Sequence, residues 1–303
     1  MLCHWRNRAE KRREIMDAKT DVFGKITERI VSILEAGKAS GSITWSGQGE
    51  AGRIPYNLST GKQYRGANVL SLWGSALEAG YTSCAWLTFK QALDMGGHVR
   101  KGEKGTLGIY FDSYERDEPG DGGGEPGKRR IAFAKAFTVF NLDQVDGIAG
   151  PEAREPWDPV ARAEAVIAAS GANVIEGGTR ACYSSAQDVI RVPDRFRFQC
   201  AENFYVVSLH ELTHWTGHAS RLARSLGNRF GSEAYAMEEL VAELGSAFLC
   251  AETGVSGKLE HHASYVDSWL AVLRKDKRAI VTAAAAAEKA ARFLLEHQRA
   301  DAA

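Results

Sequence analysis

The sequence predicts an α+β protein of two domains, an N-terminal α+β domain and a C-terminal, mainly helical domain with a small sheet. In the first half, two strand-like runs at residues 106–111 and 131–140 follow short helical segments. In the second half, long runs with apolar residues at helical spacing dominate, and the strand-like runs are short. Residues 148–159 contain Gly150-Pro151 and Pro156-Trp157, which is typical of a linker between two such halves.

The composition is that of an ordinary globular protein, and it narrows the range of partners. The 303 residues suffice for one large or two medium-sized domains. The 38 basic and 38 acidic residues balance, so any nucleic-acid site must be a local patch. The five cysteines include no C-x-x-C pair, which indicates reduced thiols and a cytoplasmic protein. No apolar run reaches the roughly 18 residues of a membrane span, and the N-terminus lacks a signal-type apolar core, so we expect no membrane partner.

The N-terminal elements follow from charge, spacing and turn residues. Residues 1–20 mix basic and acidic side chains, which predicts a solvated helix or a frayed N-terminal arm. The first domain is predicted to span residues 21–147 and to open with a helix, because apolar residues recur at helical spacing between Val22 and Leu34 before Gly37. Residues 117–127 are rich in Gly, Pro and acidic residues, and they predict a long flexible loop between the two strands.

Residues 53–105 carry a local positive charge together with aromatic side chains. This stretch has seven basic residues and three acidic ones, and Tyr64, Trp73, Tyr81, Trp86 and Phe89 are interleaved with them. Basic groups follow the phosphates of single-stranded DNA, and each aromatic ring stacked on a base contributes roughly 1–3 kcal/mol. The pattern therefore suits a binding site for single-stranded nucleic acid. The alternative is that the rings form the core and the charges lie on a solvated rim.

The second domain is predicted to span residues 160–303. An Ala-rich helix at about 160–169 comes first, and strand-like runs follow near residues 173–176 and 182–192. A helix containing residues 210–218 comes next, then a long helix at 235–249 and a helical tail at about 259–297. This order predicts a small sheet packed beside several helices.

The segment 210–218 carries the sequence H-E-x-x-H. On a helix, residues four apart share a face, so His210 and His214 can present their imidazoles to one metal ion. Glu211 lies next to that face, where its carboxylate can act as general base towards a water at the ion. Two imidazoles need a third protein ligand in a catalytic zinc site. The pattern predicts metal-assisted hydrolysis, and zinc is the expected ion, with Mn²⁺ or another divalent ion as the alternative.

The long helix that follows offers carboxylates for the third ligand. Glu239 and Glu243 are four residues apart and share a face, so one can bind the metal while the other accepts a hydrogen bond from a ligand imidazole. We predict Glu239 as the ligand and Glu243 as the outer partner, and the reverse assignment stays open. Glu238 is expected to point elsewhere, to the surface or between the domains.

Three further residues lie close to this motif in sequence or are candidates for its chemistry. His218 follows His214 by four residues, but a straight helix would spread the three histidines over about 12 Å. We therefore predict His218 as an outer neighbour or a cation at the helix end rather than as a ligand. Tyr235 and Tyr183 are candidate donors to a developing oxyanion, although both also fit a core.

The motifs together resemble the ArdC-type antirestriction proteins. The resemblance covers about residues 21–295 and rests on T-G-K-x-Y-R-G-x-N at 60–68, W-L-T-F-K-Q-A at 86–92, G-x-V-R-K-G-E-K-G at 97–105, H-E-x-x-H within 210–218, R-L at 221–222 and E-E-L-V-A-E-L at 238–244. One departure is the loop around Trp45, where the family commonly has Pro-Trp and this chain has Thr44-Trp45.

The resemblance implies a single-stranded-DNA-binding N-terminal domain and a C-terminal zincin-like metallopeptidase domain. It implies a plasmid-encoded cytoplasmic protein that shields incoming conjugative DNA from restriction in the recipient cell. The implied DNA contacts lie in the quoted segments: Lys62, Tyr64, Arg65, Asn68, Trp86, Lys90, Arg100, Lys101 and Lys104. The alternatives are a binding module whose zincin domain is only a scaffold, and a replication or primase accessory factor. A peptide or protein is the implied substrate of the metallopeptidase domain, and the residues do not specify which one.

Overall fold

The computed structural model describes residues 22–40, 45, 52–118, 127–150, 159–226, 232–256 and 263–301. The predicted arm at 1–20 lies outside these residues, as do most of the predicted loop at 117–127 and most of the predicted linker at 148–159.

The N-terminal half is an α+β unit, as predicted. Its main sheet has the order β1-β2-β5-β4, in which β1 and β2 are parallel and the other pairs antiparallel. Strands β3 and β6 form a separate antiparallel pair. The elements are α1 (Val22–Ser40), β1 (Tyr56–Asn57), α2 (Ala67–Ala79), β2 (Ala85–Leu87), α3 (Phe89–Asp94), β3 (His98–Val99), β4 (Thr106–Glu118), β5 (Gly127–Asn141) and β6 (Val145–Asp146).

The C-terminal half is mainly helical with a small sheet, which confirms the predicted fold class. The sheet has the order β7-β9-β8, with β7 parallel and β8 antiparallel to the central strand. The predicted helical tail consists of two helices, because the chain turns at Asp276, whose carboxylate accepts from the backbone N–H of Arg278. The elements are α4 (Pro159–Ala169), β7 (Asn173–Glu176), β8 (Cys182–Ser184), β9 (Val189–Val192), α5 (Ala201–Thr216), α6 (Glu233–Thr253), α7 (Ala263–Lys275) and α8 (Ala279–Asp301).

One hydrophobic cluster joins the two halves. Helix α1 inserts Ile30 and Leu34, both fully buried, into a cluster that also holds apolar residues of α5 to α8. The hydroxyl of Thr27 donates to the carbonyl of Lys277 at 2.8 Å, and the ring of Trp73 lies 5.8 Å from that of Phe248. The N-terminal half therefore packs directly on the helices of the C-terminal half, among them α6.

Helices α5 and α6 approach each other closely at a glycine. A Cβ atom at Gly245 would lie 2.4 Å from Cγ2 of Thr213, so no larger residue fits there without movement. One residue further on, the hydroxyl of Ser246 donates to the carbonyl of Val206 at 2.8 Å. This crossing brings the carboxylates of α6 to the histidines of α5.

Candidate metal centre

The motif helix α5 presents two imidazoles on one face and then ends abruptly. The rings of His210 and His214 lie 4.9 Å apart at an angle of 79°. The helix stops at Thr216, and Gly217 follows with its N–H donating to the carbonyl of His214 at 2.8 Å. A Cβ at Gly217 would lie 2.4 Å from Cδ2 of Leu226, so the side chains of the returning chain pack closely on this turn.

Helix α6 adds a carboxylate between the two imidazoles. Glu239 places Oε2 at 3.7 Å from Nε2 of His210 and Oε1 at 3.6 Å from Nε2 of His214. One ligand atom from each of the three residues lies within 4.8 Å of the others. Two imidazoles and one carboxylate form a donor set that suits a divalent transition metal and leaves a position for water or substrate.

The outer nitrogen of each imidazole faces a second carboxylate of α6. Nδ1 of His210 lies 3.7 Å from Oε2 of Glu243, whereas Nδ1 of His214 lies 3.2 Å from Oε1 of Glu238. Such outer carboxylates fix the ring orientation and raise the basicity of a metal ligand. The geometry thus puts Glu239 on the inner side of both rings and Glu243 on the outer side of His210.

The expectation that Glu238 points away from the site is wrong. Its carboxylate is buried and accepts two hydrogen bonds from Arg224, from Nη2 to Oε1 at 2.7 Å and from Nε to Oε2 at 3.1 Å. Arg224 lies in the segment that returns after Gly217, and its Nη2 also donates to the carbonyl of Thr213. Because Arg224 binds the carboxylate of Glu238 from this returning segment, Glu238 is held towards His214 and faces the site together with its neighbour Glu239.

The surrounding carboxylates give the site a strong preference for positive charge. Burial lowers the pKa of His210, but the carboxylates of Glu239 and Glu243 outweigh burial and raise this pKa to about 10. In the same way, burial opposes and the two imidazoles favour ionisation of Glu239, so that its pKa lies well below the ordinary value. A divalent cation can replace the proton that His210 holds here.

Two further candidates from the sequence, His218 and Tyr183, contact residues outside the His-His-Glu cluster. His218 follows the end of α5, and its Nδ1 lies 2.7 Å from the hydroxyl of Ser220, so its role as an outer neighbour of the site stays a prediction. The hydroxyl of Tyr183 is bound to Asp188 at 2.8 Å and to Arg221 at 3.2 Å. These contacts belong to the loop beside the site.

Tyr235 lies one helical turn before Glu239. Its hydroxyl is 3.3 Å from that of Tyr265, and the two rings are stacked 6.3 Å apart. Burial, the hydroxyl of Tyr265 and the carboxylate of Glu239 all raise the pKa of Tyr235, so it is a protonated donor at neutral pH. Of the two tyrosines named from the sequence, Tyr235 is the one beside a metal ligand.

The predicted DNA contacts divide into exposed cations and buried structural groups. The ring of Trp86 is 1% exposed, so it cannot stack on a base, and this prediction is corrected. The amide of Asn68 donates to the carbonyl of Ile109 and accepts from its N–H, which attaches β4 to α2. Tyr64 is half-buried with its ring 6.2 Å from that of Phe137. The six cations are exposed: Lys62, Arg65, Lys90, Arg100, Lys101 and Lys104.

Two exposed rings offer the stacking surface that Trp86 lacks. Phe89 is 53% exposed and Tyr110 is 54% exposed, and both lie in the N-terminal half. Phe89 is the first residue of α3, directly after Thr88, whose side chain accepts from the N–H of Gln91 and caps the helix. The position after a helix cap could have indicated an exposed ring, and alternation along β4 could have indicated Tyr110, since its neighbour Ile109 is buried.

Both halves of the chain match known families. Residues 20–140 match the N-terminal domain of the anti-restriction factor ArdC, and residues 161–286 match a zincin-like metallopeptidase. The metal-free crystal structure of the antirestriction protein ArdC from plasmid R388 is 39% identical, with a TM-score of 0.76 over 92% of this chain and 98% of that one. The chain belongs to the ArdC family. The resemblance seen in the sequence is thereby confirmed.

Another similar protein structure contains a metal ion. A second structure of R388 ArdC, 38% identical with a TM-score of 0.74 and covering 92% of this chain and 98% of that one, contains Mn(II). Together with the His-His-Glu cluster, this shows that the chain has a site for a divalent metal ion. An uncharacterized protein, y4eC of Sinorhizobium fredii, is 39% identical over 92% of this chain and 93% of its own.

The Escherichia coli DNA primase TraC contains a segment similar to most of this chain. It is 40% identical over 93% of this chain, but the chain spans only 28% of the length of that primase. Among the described helices of the chain, none is long and apolar enough to cross a membrane.

Proposed function

We propose that this ArdC-family chain is a metal-dependent peptidase that also binds single-stranded DNA, and that it protects transferred plasmid DNA from restriction in the cytoplasm of the recipient cell. The observation that carries the hydrolytic part is the position of Glu211. It is buried and follows His210 directly on α5, so it lies beside the ligand pair. A carboxylate there can serve as general base.

The residues of the chain have separate tasks in this reaction. A divalent ion held by His210, His214 and Glu239 polarises a carbonyl and makes water a stronger acid. Glu211 takes the proton from the attacking water and passes it to the departing amine, so the carboxylate is unchanged after one cycle. Tyr235 donates a hydrogen bond to the oxygen of the attacked carbonyl as negative charge develops on it.

Replacement of Glu211 by Gln tests the hydrolytic part directly. The variant keeps the side-chain volume and the metal ligands but lacks a base, so we expect metal binding within about twofold of the parent. Cleavage of a generic unfolded protein such as casein should fall by roughly 10²–10⁴-fold. Cleavage must be measured with the metal-loaded protein, with and without a single-stranded oligonucleotide. Unchanged cleavage in Glu211→Gln would rule out the proposed general base.

The DNA-binding part rests on exposed cations and rings on the N-terminal half. Lys90 neighbours Phe89 on α3, and Lys101 and Lys104 lie in the turn before β4. We expect binding of a labelled single-stranded oligonucleotide to weaken steeply with salt, because the phosphate contacts release counterions. A salt-insensitive interaction, or a preference for duplex, would contradict this assignment.

A second candidate function follows from the similarity to TraC. That primase contains an ArdC-like segment within a longer protein, which favours a DNA-binding accessory role in replication with the zincin domain as scaffold. The Glu211→Gln variant separates the two functions. Full protection of transferred DNA by this variant would support the scaffold role, and loss of protection with intact DNA binding would support the peptidase.

A further inference from the structure

The outer supports of the two histidine ligands come from different parts of the chain. Glu238, behind His214, is held by Arg224, which lies shortly after the motif helix. Glu243, behind His210, accepts a hydrogen bond on Oε1 from the indole N–H of Trp45, at 2.8 Å. Trp45 is 198 residues away in sequence and belongs to the N-terminal half. One support is therefore local to the metal domain, and the other is not.

The contact between Trp45 and Glu243 is buried from solvent. Trp45 is 6% exposed and Glu243 is 4% exposed, and Trp45 packs in the cluster that joins the two halves. A buried carboxylate keeps its orientation only if fixed donors hold it, because water cannot take their place. The indole has a single N–H, so this bond points one oxygen of Glu243 at Trp45 and leaves Oε2 facing His210, 3.7 Å from Nδ1.

The imidazole of His210 depends on that second oxygen. Within the described part of the chain, its buried Nδ1 has no hydrogen-bond partner, and Oε2 of Glu243 is the carboxylate oxygen that it faces. An outer partner of this kind typically contributes 10- to 100-fold in metal affinity.

We propose that Trp45 is a positioning residue of the metal centre, which holds Glu243 against His210, so that the N-terminal domain completes the metal site of the C-terminal domain. The inference concerns metal binding and does not depend on whether the protein hydrolyses peptides. It also assigns a role to a residue outside both of the helices that supply the ligands.

Replacement of Trp45 by Phe in the full-length protein tests this role. Phenylalanine keeps an apolar ring in the cluster but has no N–H to donate. We expect the affinity for Mn²⁺ or Zn²⁺, measured by competition with a chelator, to fall by about 10- to 100-fold. The matched control is Trp73→Phe. Trp73 is 1% exposed, donates its indole N–H to the carbonyl of Arg53 at 2.9 Å and packs on Phe248 of α6. Because this N–H binds a backbone carbonyl of the N-terminal half and not a carboxylate of the metal site, we expect Trp73→Phe to leave the metal affinity within about twofold of the parent.

A double variant distinguishes positioning from a general loss of packing. If Trp45 acts through Glu243, Trp45→Phe should add no more than about a twofold loss in a protein that already carries Glu243→Gln. Multiplicative losses in the double variant would overturn the proposal. So would parental affinity in Trp45→Phe, or an equal loss in Trp73→Phe.

The unmodified protein provides a test that does not require Trp45→Phe to fold. With ¹⁵N-labelled tryptophan, the indole N–H resonance of Trp45 should shift when metal is added, because Glu243 tightens towards His210. The resonance of Trp73 should stay in place. Metal addition that leaves the Trp45 resonance unmoved would overturn the proposal.

Discussion

Replacement of Gly245 by Ala tests whether the close approach of α5 and α6 builds the metal site. The added Cβ would lie 2.4 Å from Cγ2 of Thr213 and 2.8 Å from its Oγ1. Thr213 is fully buried and its hydroxyl donates to the carbonyl of Leu209, so the side chain cannot simply turn away. Ordinary contact begins at 3.4 Å, so the two helices must separate by about 1 Å.

This displacement acts directly on the ligand geometry. Thr213 lies between His210 and His214 on α5, whereas Gly245 lies six residues beyond Glu239 on α6. Metal ligands must be held to within about 0.5 Å, so we expect metal affinity to fall by roughly tenfold or more. Overpacking should also lower the free energy of unfolding by about 1–3 kcal/mol. Chelator competition and urea unfolding of the metal-free protein measure the two effects separately.

A compensating change identifies the cause of the loss. Thr213→Ala removes both of the closest atoms, and the remaining Cβ of residue 213 lies 3.2 Å from the new Cβ of Gly245→Ala. We expect the double variant to recover most of the metal affinity and Thr213→Ala alone to bind metal nearly normally. Parental affinity in Gly245→Ala, or no recovery in the double variant, would refute the argument from helix spacing.

Three further predictions concern charge, pH and DNA. Arg224→Met should lower the free energy of unfolding by about 3–5 kcal/mol and weaken metal binding, because it removes the guanidinium paired with the buried carboxylate of Glu238 and leaves the imidazole of His214 facing it; an unchanged urea midpoint would contradict this. Because the pKa of His210 is raised from 6.5 to about 10 in the folded metal-free protein, its contribution to stability is complete below pH 6.5 and is lost as the pH rises through 10. The melting temperature without metal should therefore fall over that range, and the fall should be absent with bound metal. Phe89→Ala should weaken oligonucleotide binding by about 1–3 kcal/mol in fluorescence anisotropy, whereas Phe196→Ala, an 82% exposed ring of the other half, should not.

The inner part of the metal site could be predicted because it depends on local geometry. The spacing of His210 and His214 needs only a helix, and the spacing of Glu239 and Glu243 needs only a second one. The direction in which the second helix faces depends on how it crosses the first, and spacing carries no information about that crossing. The expectation that Glu238 lies at the surface or between the domains is therefore wrong, because Glu238 is buried behind His214.

The proposed DNA-binding face shows the same limit for aromatic residues. The sequence shows how many aromatic rings lie between residues 53 and 105, but the packing of the chain determines which of them are exposed to solvent. Trp86 lies in β2, a strand whose three residues are all buried, and its ring packs in a small cluster with Leu72 and Ala76 of α2. Phe89 begins α3 three residues later and is exposed. The positive charges could be placed more reliably, since lysine and arginine side chains seldom lose contact with water.

The two halves of the chain are physically coupled, although the family models match them separately. Arg65, an exposed cation of the proposed DNA site, lies 3.7 Å from Glu288 on α8, and Gln63 donates to Glu252 on α6 at 2.9 Å. A phosphate bound at Arg65 competes with Glu288 for the guanidinium, and the metal site in turn takes one of its supports from Trp45. Any change in metal affinity caused by DNA must be matched by an equal change in DNA affinity caused by metal. Measurements of oligonucleotide binding with and without metal therefore determine whether a ligand at one site changes the affinity of the other site, or whether the shared core only holds the two sites together.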